Sequence, residues 1–507
     1  MTYTNIIKFE TRKRNTYVFD GNTSNVVPVD DTILRAIDLF VEDIDVEKAT
    51  QILIGEGYDN NKIANAVSVV SKYKRLGYFY KDDEAESEKR KYQYEFENKH
   101  IKMLHDGGAT FQLVLNVTED CNLRCKYCYL SEVYDYSRNR TSSRMNFETA
   151  KTAIDNFMAR IRKVCRFNPA KQAAITFYGG EPLLNFELIK KVISYVEEEY
   201  SDLDLKFNLT TNGVLLTEEK ADYLVSKNFI ISVSLDGCKI NNDRNRVFPD
   251  GTGSFEIVYK NIVDFKRKYP NYHDIKLIVV QEYNTDLEEN LRFFDENQNV
   301  IPEVVMVNFV TSTNTHFFDG LDEKVIKNYY QSFGKLIQEY IDCEISDKPI
   351  SSYLDKLFSA GIYTVLGRTR VEDAKIPMLP FTGSCVPGMK ISVRTYCTFD
   401  ICERVNGTMP IGNINSGVDL DAISKIIRQY NKEVTVDCYK CPISRNCQVC
   451  FASCNGCGNF NRPDCITQIN ALIFNLSLLY SILEENPSIK RKFSLDSLMQ
   501  VEWLLNN

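Results

Sequence analysis

Three cysteines within eight residues, Cys121, Cys125 and Cys128, stand at spacing C-x3-C-x2-C. The stretch before them, Phe111-Gln-Leu-Val-Leu-Asn-Val117, has the residue types of a β-strand. The cysteines therefore fall in a loop that leaves the end of a strand. Three thiolates can hold three corners of a [4Fe–4S] cube, whose full ligation takes four. One iron is then open to a non-protein ligand. The alternative is a zinc knuckle, which usually needs a fourth Cys or His close by. His100 and His105 are the nearest histidines, and both lie on the far side of the strand.

The rest of the cysteine inventory is uneven. Ten of the 16 cysteines lie between Cys385 and Cys465, and Cys165, Cys238 and Cys343 are scattered as ordinary buried thiols. With only four histidines in 507 residues, histidine acid–base chemistry is not expected. The formal charge, 61 − 69 = −8, gives no basic footprint for nucleic acid. No apolar run is read as a membrane span, and Met1–Asn5 lacks the pattern of a secretory signal. A cytoplasmic protein is expected, in which so many cysteines mean metal sites rather than disulfides. A chain of this length implies several domains.

Residues 108–345 alternate strand and helix. Candidate strands at 111–117, 173–178, 205–210, 229–235, 275–280 and 303–310 are separated by helical stretches, such as the one with Phe147, Ala150, Ile154, Phe157, Met158 and Ile161 on one face. Six βα units predict an α/β fold with a parallel sheet and right-handed crossovers. The site of such a fold lies at the C-terminal ends of its strands. The second strand is followed by Tyr178-Gly179-Gly180-Glu181-Pro182, where two glycines let the backbone approach a ligand and Glu181 can accept from an ammonium. A plain strand-to-helix turn would read the same way. Thr210-Thr211-Asn212-Gly213 follows the third strand and Ser232-Val233-Ser234-Leu235-Asp236-Gly237 the fourth, with Asn242-Asp243-Arg244-Asn245-Arg246 beyond.

The triad with its internal Tyr127, followed one βα unit later by G-G-E-P, resembles the radical S-adenosylmethionine (radical SAM) enzymes. The resemblance implies a partial (β/α)6 barrel. It also implies a cluster whose open iron chelates the amino and carboxylate groups of SAM, and which cleaves SAM to a 5'-deoxyadenosyl radical. It assigns Tyr127, Gly179, Gly180, Glu181, Asn212, Ser234 and Arg246 to SAM. Glu181 would meet the amino group, and Arg246 the carboxylate, with Arg244 as its competitor.

The cysteine-rich stretch 385–465 resembles the SPASM extension of peptide-modifying members, which implies two auxiliary [4Fe–4S] clusters and three in all. Cys385 and Cys402 fit the first part of that pattern, with Cys397 where a glycine is expected; Cys438, Cys441 and Cys447 fit the second. Phe451 stands where a further cysteine is expected, flanked by Cys450 and Cys454, and Cys457 competes with Cys465 for the last ligand. By family wiring the first cluster takes Cys385, Cys402 and one of Cys450 or Cys454. The second takes Cys438, Cys441, Cys447 and Cys465. Paired structural zinc sites are the alternative.

Residues 1–80 read as a separate unit: strands at Ile6–Glu10 and Thr16–Asp20, then three helical stretches. Hairpin plus helices resembles the winged-helix (PqqD-like) domain that binds the leader of a precursor peptide by adding a strand to a sheet edge. A purely structural winged helix fits these residues as well. Residues 81–107 read as a charged linker, 346–384 as a connector, and 466–507 as a helical end in which Ile466–Leu483 is a core helix. The resemblance as a whole implies a maturase of ribosomally made precursor peptides of the sactipeptide or ranthipeptide type. Such an enzyme forms thioethers from cysteine and takes electrons from a flavodoxin or ferredoxin. The rivals are an anaerobic sulfatase maturase that makes formylglycine, another peptide modification (a carbon–carbon link or an epimerisation), and a zinc-ordered binding protein.

Overall fold

The computed structural model describes residues 5–79, 98–106, 110–134, 140–168, 171–368, 370, 385–405, 407–456 and 458–489. The charged run at 82–91, most of the connector beyond 368, Cys457 and residues 490–507 lie outside them.

The N-terminal unit is an antiparallel sheet of β1 (Ile6–Glu10), β2 (Thr16–Asp20) and β3 (Asn25–Val29), in that order. The third strand escaped the sequence reading because Pro28 lies inside it. Helices Asp31–Val41, Val46–Gly55 and Asn60–Arg75 follow. Each starts at an aspartate, Asp30, Asp45 or Asp59, whose carboxylate accepts first-turn N–H groups. Val18, Val27, Ile37, Phe40, Leu53, Ile63, Val70 and Phe79 fill the unit's own core.

The body of the molecule is a sheet with six consecutive parallel strands: β4 (Gln112–Thr118), β5 (Ala173–Gly179), β6 (Leu205–Thr211), β7 (Ile230–Ser234), β8 (Ile275–Gln281) and β9 (Val304–Phe309). Helices such as Phe147–Cys165 and Phe186–Glu199 bury one apolar stripe each against it. The sheet does not stop at β4. Strand β10 (Lys390–Val393) pairs with it in parallel, and β11 (Thr398–Asp400), β12 (Pro410–Asn413) and β13 (Gly417–Val418) continue antiparallel. The cysteine-rich region thus begins as an extension of the central sheet, and β4 is buried along its whole length.

Helix Cys465–Glu485 corrects one sequence expectation. Its 21 residues, with a mean hydropathy of 1.5 over the most apolar window, are long and apolar enough to cross a membrane. In this fold it packs between helices Glu323–Ser346 and Ser352–Leu366 and strand β1. Thr11 and Tyr17 donate to Glu484, Arg12 N–H donates to Ser481, and Phe9, Tyr17 and Tyr480 form a ring cluster. Ile7, Phe9 and Phe19 join the main core through this contact.

Candidate active site

The triad loop leaves the C-terminal end of β4, and its thiols receive main-chain donors. Leu123 N–H points to Cys121 Sγ and Leu130 N–H to Cys128 Sγ, both at 3.4 Å. Two backbone bonds stitch the loop to a distant segment: Arg124 N–H to Val247 O at 2.6 Å and Lys126 N–H to Asn245 O at 3.0 Å. Arg246 is the residue between those acceptors. Burial pushes the thiols of Cys121 and Cys125 up, to about 12 and about 11. Among the described residues no three His, Cys, Asp or Glu side chains converge as one metal ion would require. A cube, by contrast, takes its thiolates on separate irons.

The glycine pair has a different immediate reason from the one expected. A Cβ on Gly179, whose φ is +140°, would lie 2.1 Å from Thr118 O, and one on Gly180 2.1 Å from Asp120 O. Bonds from Gly180 N–H to Thr118 O and from Glu181 N–H to Asp120 O close the β5 loop on the β4 loop. The glycines admit this backbone-to-backbone approach, and both also line the cavity described below.

Glu181 is fully buried and engaged by the chain itself. It accepts Leu183 N–H and Thr211 O–H on one oxygen and Asn212 N–H, at 2.8 Å, on the other. It does not line the cavity. Asn212 does, and its side-chain amide reaches Asn122 Oδ1 at 2.7 Å and Cys121 Sγ at 3.7 Å.

Beneath the triad lies a buried network that the sequence reading did not assemble. Tyr127 O–H donates to Asp236 at 2.5 Å, Arg246 donates to Tyr127 Oη at 2.9 Å, and the guanidinium lies 3.9 Å from the Asp236 carboxylate. Asp236 also accepts Val280 N–H. Its signal in the sequence was its place at the end of the β7 loop, within Ser-Leu-Asp-Gly. Arg246 is 5% exposed, yet its Nε has no partner among the described residues. Its competitor Arg244 faces Glu282 and Asn241 instead.

These parts surround one cavity of about 520 Å³. Cys121, Cys125, Tyr127, Cys128, Gly179, Gly180, Asn212, Ser234 and Arg246 line one side. Met306, Asn308, Phe309 and Thr311, from β9 and the loop after it, join Glu403, Arg404, Ala452 and Ser453 of the cysteine-rich region on the other. Three thiols and a buried arginine lining one cavity fit a three-cysteine cluster with an aminocarboxylate ligand on its open iron.

In the cysteine-rich region, Cys438, Cys441, Cys447 and Cys465 lie within electrostatic reach of one another, so a charge on any of the last three raises Cys438 further. Burial is the larger cause and takes Cys438 to about 12. Cys385 and Cys402 both act on Lys390, and Cys402 and Cys450 on Arg404. Ser453 N–H donates to Cys450 Sγ at 3.4 Å, as main-chain donors do in the triad. Cys454 is fully buried beside Cys450 and Cys447. Cys397 stands apart, in the β10–β11 turn at φ +69°, with Sγ 3.5 Å from Thr149. Phe451 is a core aromatic whose ring lies 4.2 Å from that of Tyr430.

Residues 115–294 match the radical SAM superfamily. Over that stretch the chain is homologous to characterised radical SAM modification enzymes. It is 25% identical over 275 residues to the radical SAM cyclopropyl synthase TigE of Paramaledivibacter caminithermalis, covering 54% of this chain and 56% of TigE. It is 24% identical over 184 residues to a cysteine-type anaerobic sulfatase-maturating enzyme of Clostridium novyi, covering 36% of this chain and 47% of that enzyme. The chain spans about half the length of the curated relatives it matches. The solved structure of native anSMEcpe with bound AdoMet shares the fold, with a TM-score of 0.54 and 18% identity over 76% of this chain and 99% of that one.

Proposed function

We propose that this protein is a cytoplasmic radical SAM enzyme that modifies a ribosomally made precursor peptide, joining a cysteine sulfur to a carbon of another residue as a thioether. The observation that carries the radical SAM part is the convergence of Cys121, Cys125 and Cys128 with the buried Arg246 side chain on one cavity. When loaded, a [4Fe–4S] cluster with SAM on its open iron supplies an electron that cleaves the sulfonium and yields a 5'-deoxyadenosyl radical. In this reading the three cysteines hold that cluster, Arg246 receives the SAM carboxylate, and Tyr127 and Asp236 fix the guanidinium. Asn212, Ser234, Gly179 and Gly180 face the ligand, while Glu181 holds the loops that carry them from behind. Cys385, Cys402 and Cys450 or Cys454 hold one auxiliary cluster, the Ser453 donor favouring Cys450. Cys438, Cys441, Cys447 and Cys465 hold the other, and a flavodoxin or ferredoxin delivers electrons.

The cavity wall of Met306, Phe309, Glu403, Arg404 and Ser453 is where the peptide enters. Its leader adds to an edge of the N-terminal sheet. Pro28 on β3 has no N–H to give, so that strand offers one donor fewer.

A carbon–carbon link is the second reading, favoured by the match to a cyclopropyl synthase over more than half of this chain. Formylglycine formation on a sulfatase is a third, drawn from the sulfatase-maturating relative. Mass spectrometry of a cysteine-containing precursor after anaerobic turnover separates these readings. A thioether costs two hydrogens and one alkylatable thiol per bond. A two-hydrogen loss with every thiol still alkylatable means a carbon–carbon or carbon–oxygen link or a desaturation, and overturns the thioether. Unchanged mass with deuterium gained from heavy water means epimerisation.

A further inference from the structure

Residues 20–24 join β2 to β3 and all are buried, with Asp20, Asn22, Thr23 and Ser24 at 0% exposure. A hairpin tip ordinarily faces water. This one is covered by residues 442–446, the five between Cys441 and Cys447. Gly21 sits so close to Pro442 that an added Cβ would lie 2.6 Å from the proline carbonyl oxygen. The Arg445 guanidinium donates to the Asn22 carbonyl, and Asn446 Nδ2 donates to Ser24 Oγ at 3.4 Å. Arg445 is also the cation that acts on buried Asp20. The Asp20 carboxylate accepts Thr23 N–H, Thr23 O–H and the Phe79 N–H, so it ties the tip to the far end of the N-terminal unit.

Three of the five residues in the loop thus touch the hairpin. The loop has little of its own to hold its shape: two turns, Ser444 N–H to Cys441 O and Asn446 N–H to Ile443 O, and two buried apolar side chains, Pro442 and Ile443. Both of its ends are cysteines. Metal coordination at such ends is ordering free energy for the segment between them.

We propose that the Cys441–Cys447 loop is a metal-dependent latch: the cluster on Cys438, Cys441, Cys447 and Cys465 fixes the β2–β3 tip of the N-terminal unit, and loss of the cluster frees that tip and leaves the unit held by helix Cys465–Glu485. This rests on the assignment of a cluster to those four cysteines. A chain without that cluster would then fail to present a bound peptide to the cavity, so iron loading gates substrate capture.

Hydrogen exchange of residues 16–29 and iron analysis, both on the full-length reconstituted protein, test the latch. In Cys441→Ala, iron falls by about four per chain, and exchange across the hairpin rises by about tenfold or more. Strands β6–β8 stay protected, which shows that the body remains folded. Gly21→Leu breaks the contact from the other side: the hairpin exchanges faster while iron stays near twelve per chain. If Cys441→Ala loses iron and the hairpin remains protected, the latch is wrong. If Cys441→Ala loses no iron, the cluster assignment fails and the latch with it.

Discussion

Arg246 concentrates the chemistry of the site at a single residue. Its buried guanidinium is held by Tyr127 and Asp236, and its Nε has no partner among the described residues. Arg246→Gln should weaken SAM binding by about 10- to 100-fold, the ~1.5–3 kcal/mol of a hydrogen bond to a charged group. Isothermal titration of the reconstituted protein measures it, with unchanged iron content as the control; unaltered affinity would remove Arg246 from the ligand. Glu181 calls for a different test, because the chain already occupies both its oxygens. Glu181→Gln turns one acceptor into a donor facing other donors, at a cost of about 1–3 kcal/mol. The melting temperature should therefore fall even without SAM. A carboxylate that met only the ligand would leave the ligand-free melting temperature where it was.

At the scale of elements, what could be read in advance followed the covalent distance between partners. The C-x3-C-x2-C and G-G-E-P motifs lie on single loops, so their spacing is visible along the chain. The Tyr127–Asp236–Arg246 network spans more than a hundred residues, and nothing local announces that Asp236 belongs to it. The alternating βα pattern gave strands β4–β9 to within a residue or two. Strand β10, four residues of mixed character (Lys-Ile-Ser-Val), gave no such pattern. Its trace in the sequence is Asn116, a polar residue in a buried strand, whose amide donates to Ser392 Oγ and Val393 O. Pro28 hid β3 in the same way. The first unit is also less detachable than its sequence suggests, since Ile7, Phe9 and Phe19 belong to the main core. Deleting residues 1–80 should therefore lower the melting temperature of the remainder and expose the Tyr480 face of helix Cys465–Glu485. Calorimetry checks this: an unchanged melting temperature would show the unit to be an independent appendage.

For the whole molecule the measurable quantity is iron. Three cubane clusters amount to about 12 Fe per chain after anaerobic reconstitution, and replacing Cys121, Cys125 and Cys128 by Ala should leave about 8. The same triple variant should lose SAM cleavage. Zinc in place of iron, or cleavage that survives the triple change, would sink the reading of the cavity as a radical SAM site. The Cys397→Ala variant should keep the full iron content, because that thiol sits in the β10–β11 turn with its Sγ on the Thr149 hydroxyl.

The pairing of β4 with β10 also sets a timetable for biosynthesis. The strand that leads into the triad emerges from the ribosome roughly 270 residues before its neighbour; at about 5–20 residues per second that is on the order of 14–55 s. During that interval one side of β4 is an unpaired edge, a template for illicit strand association. The nascent chain must stay shielded until its cysteine-rich tail arrives to cap the sheet. Expression host, chaperone supply and translation speed should then govern the yield of this protein as strongly as its final stability does.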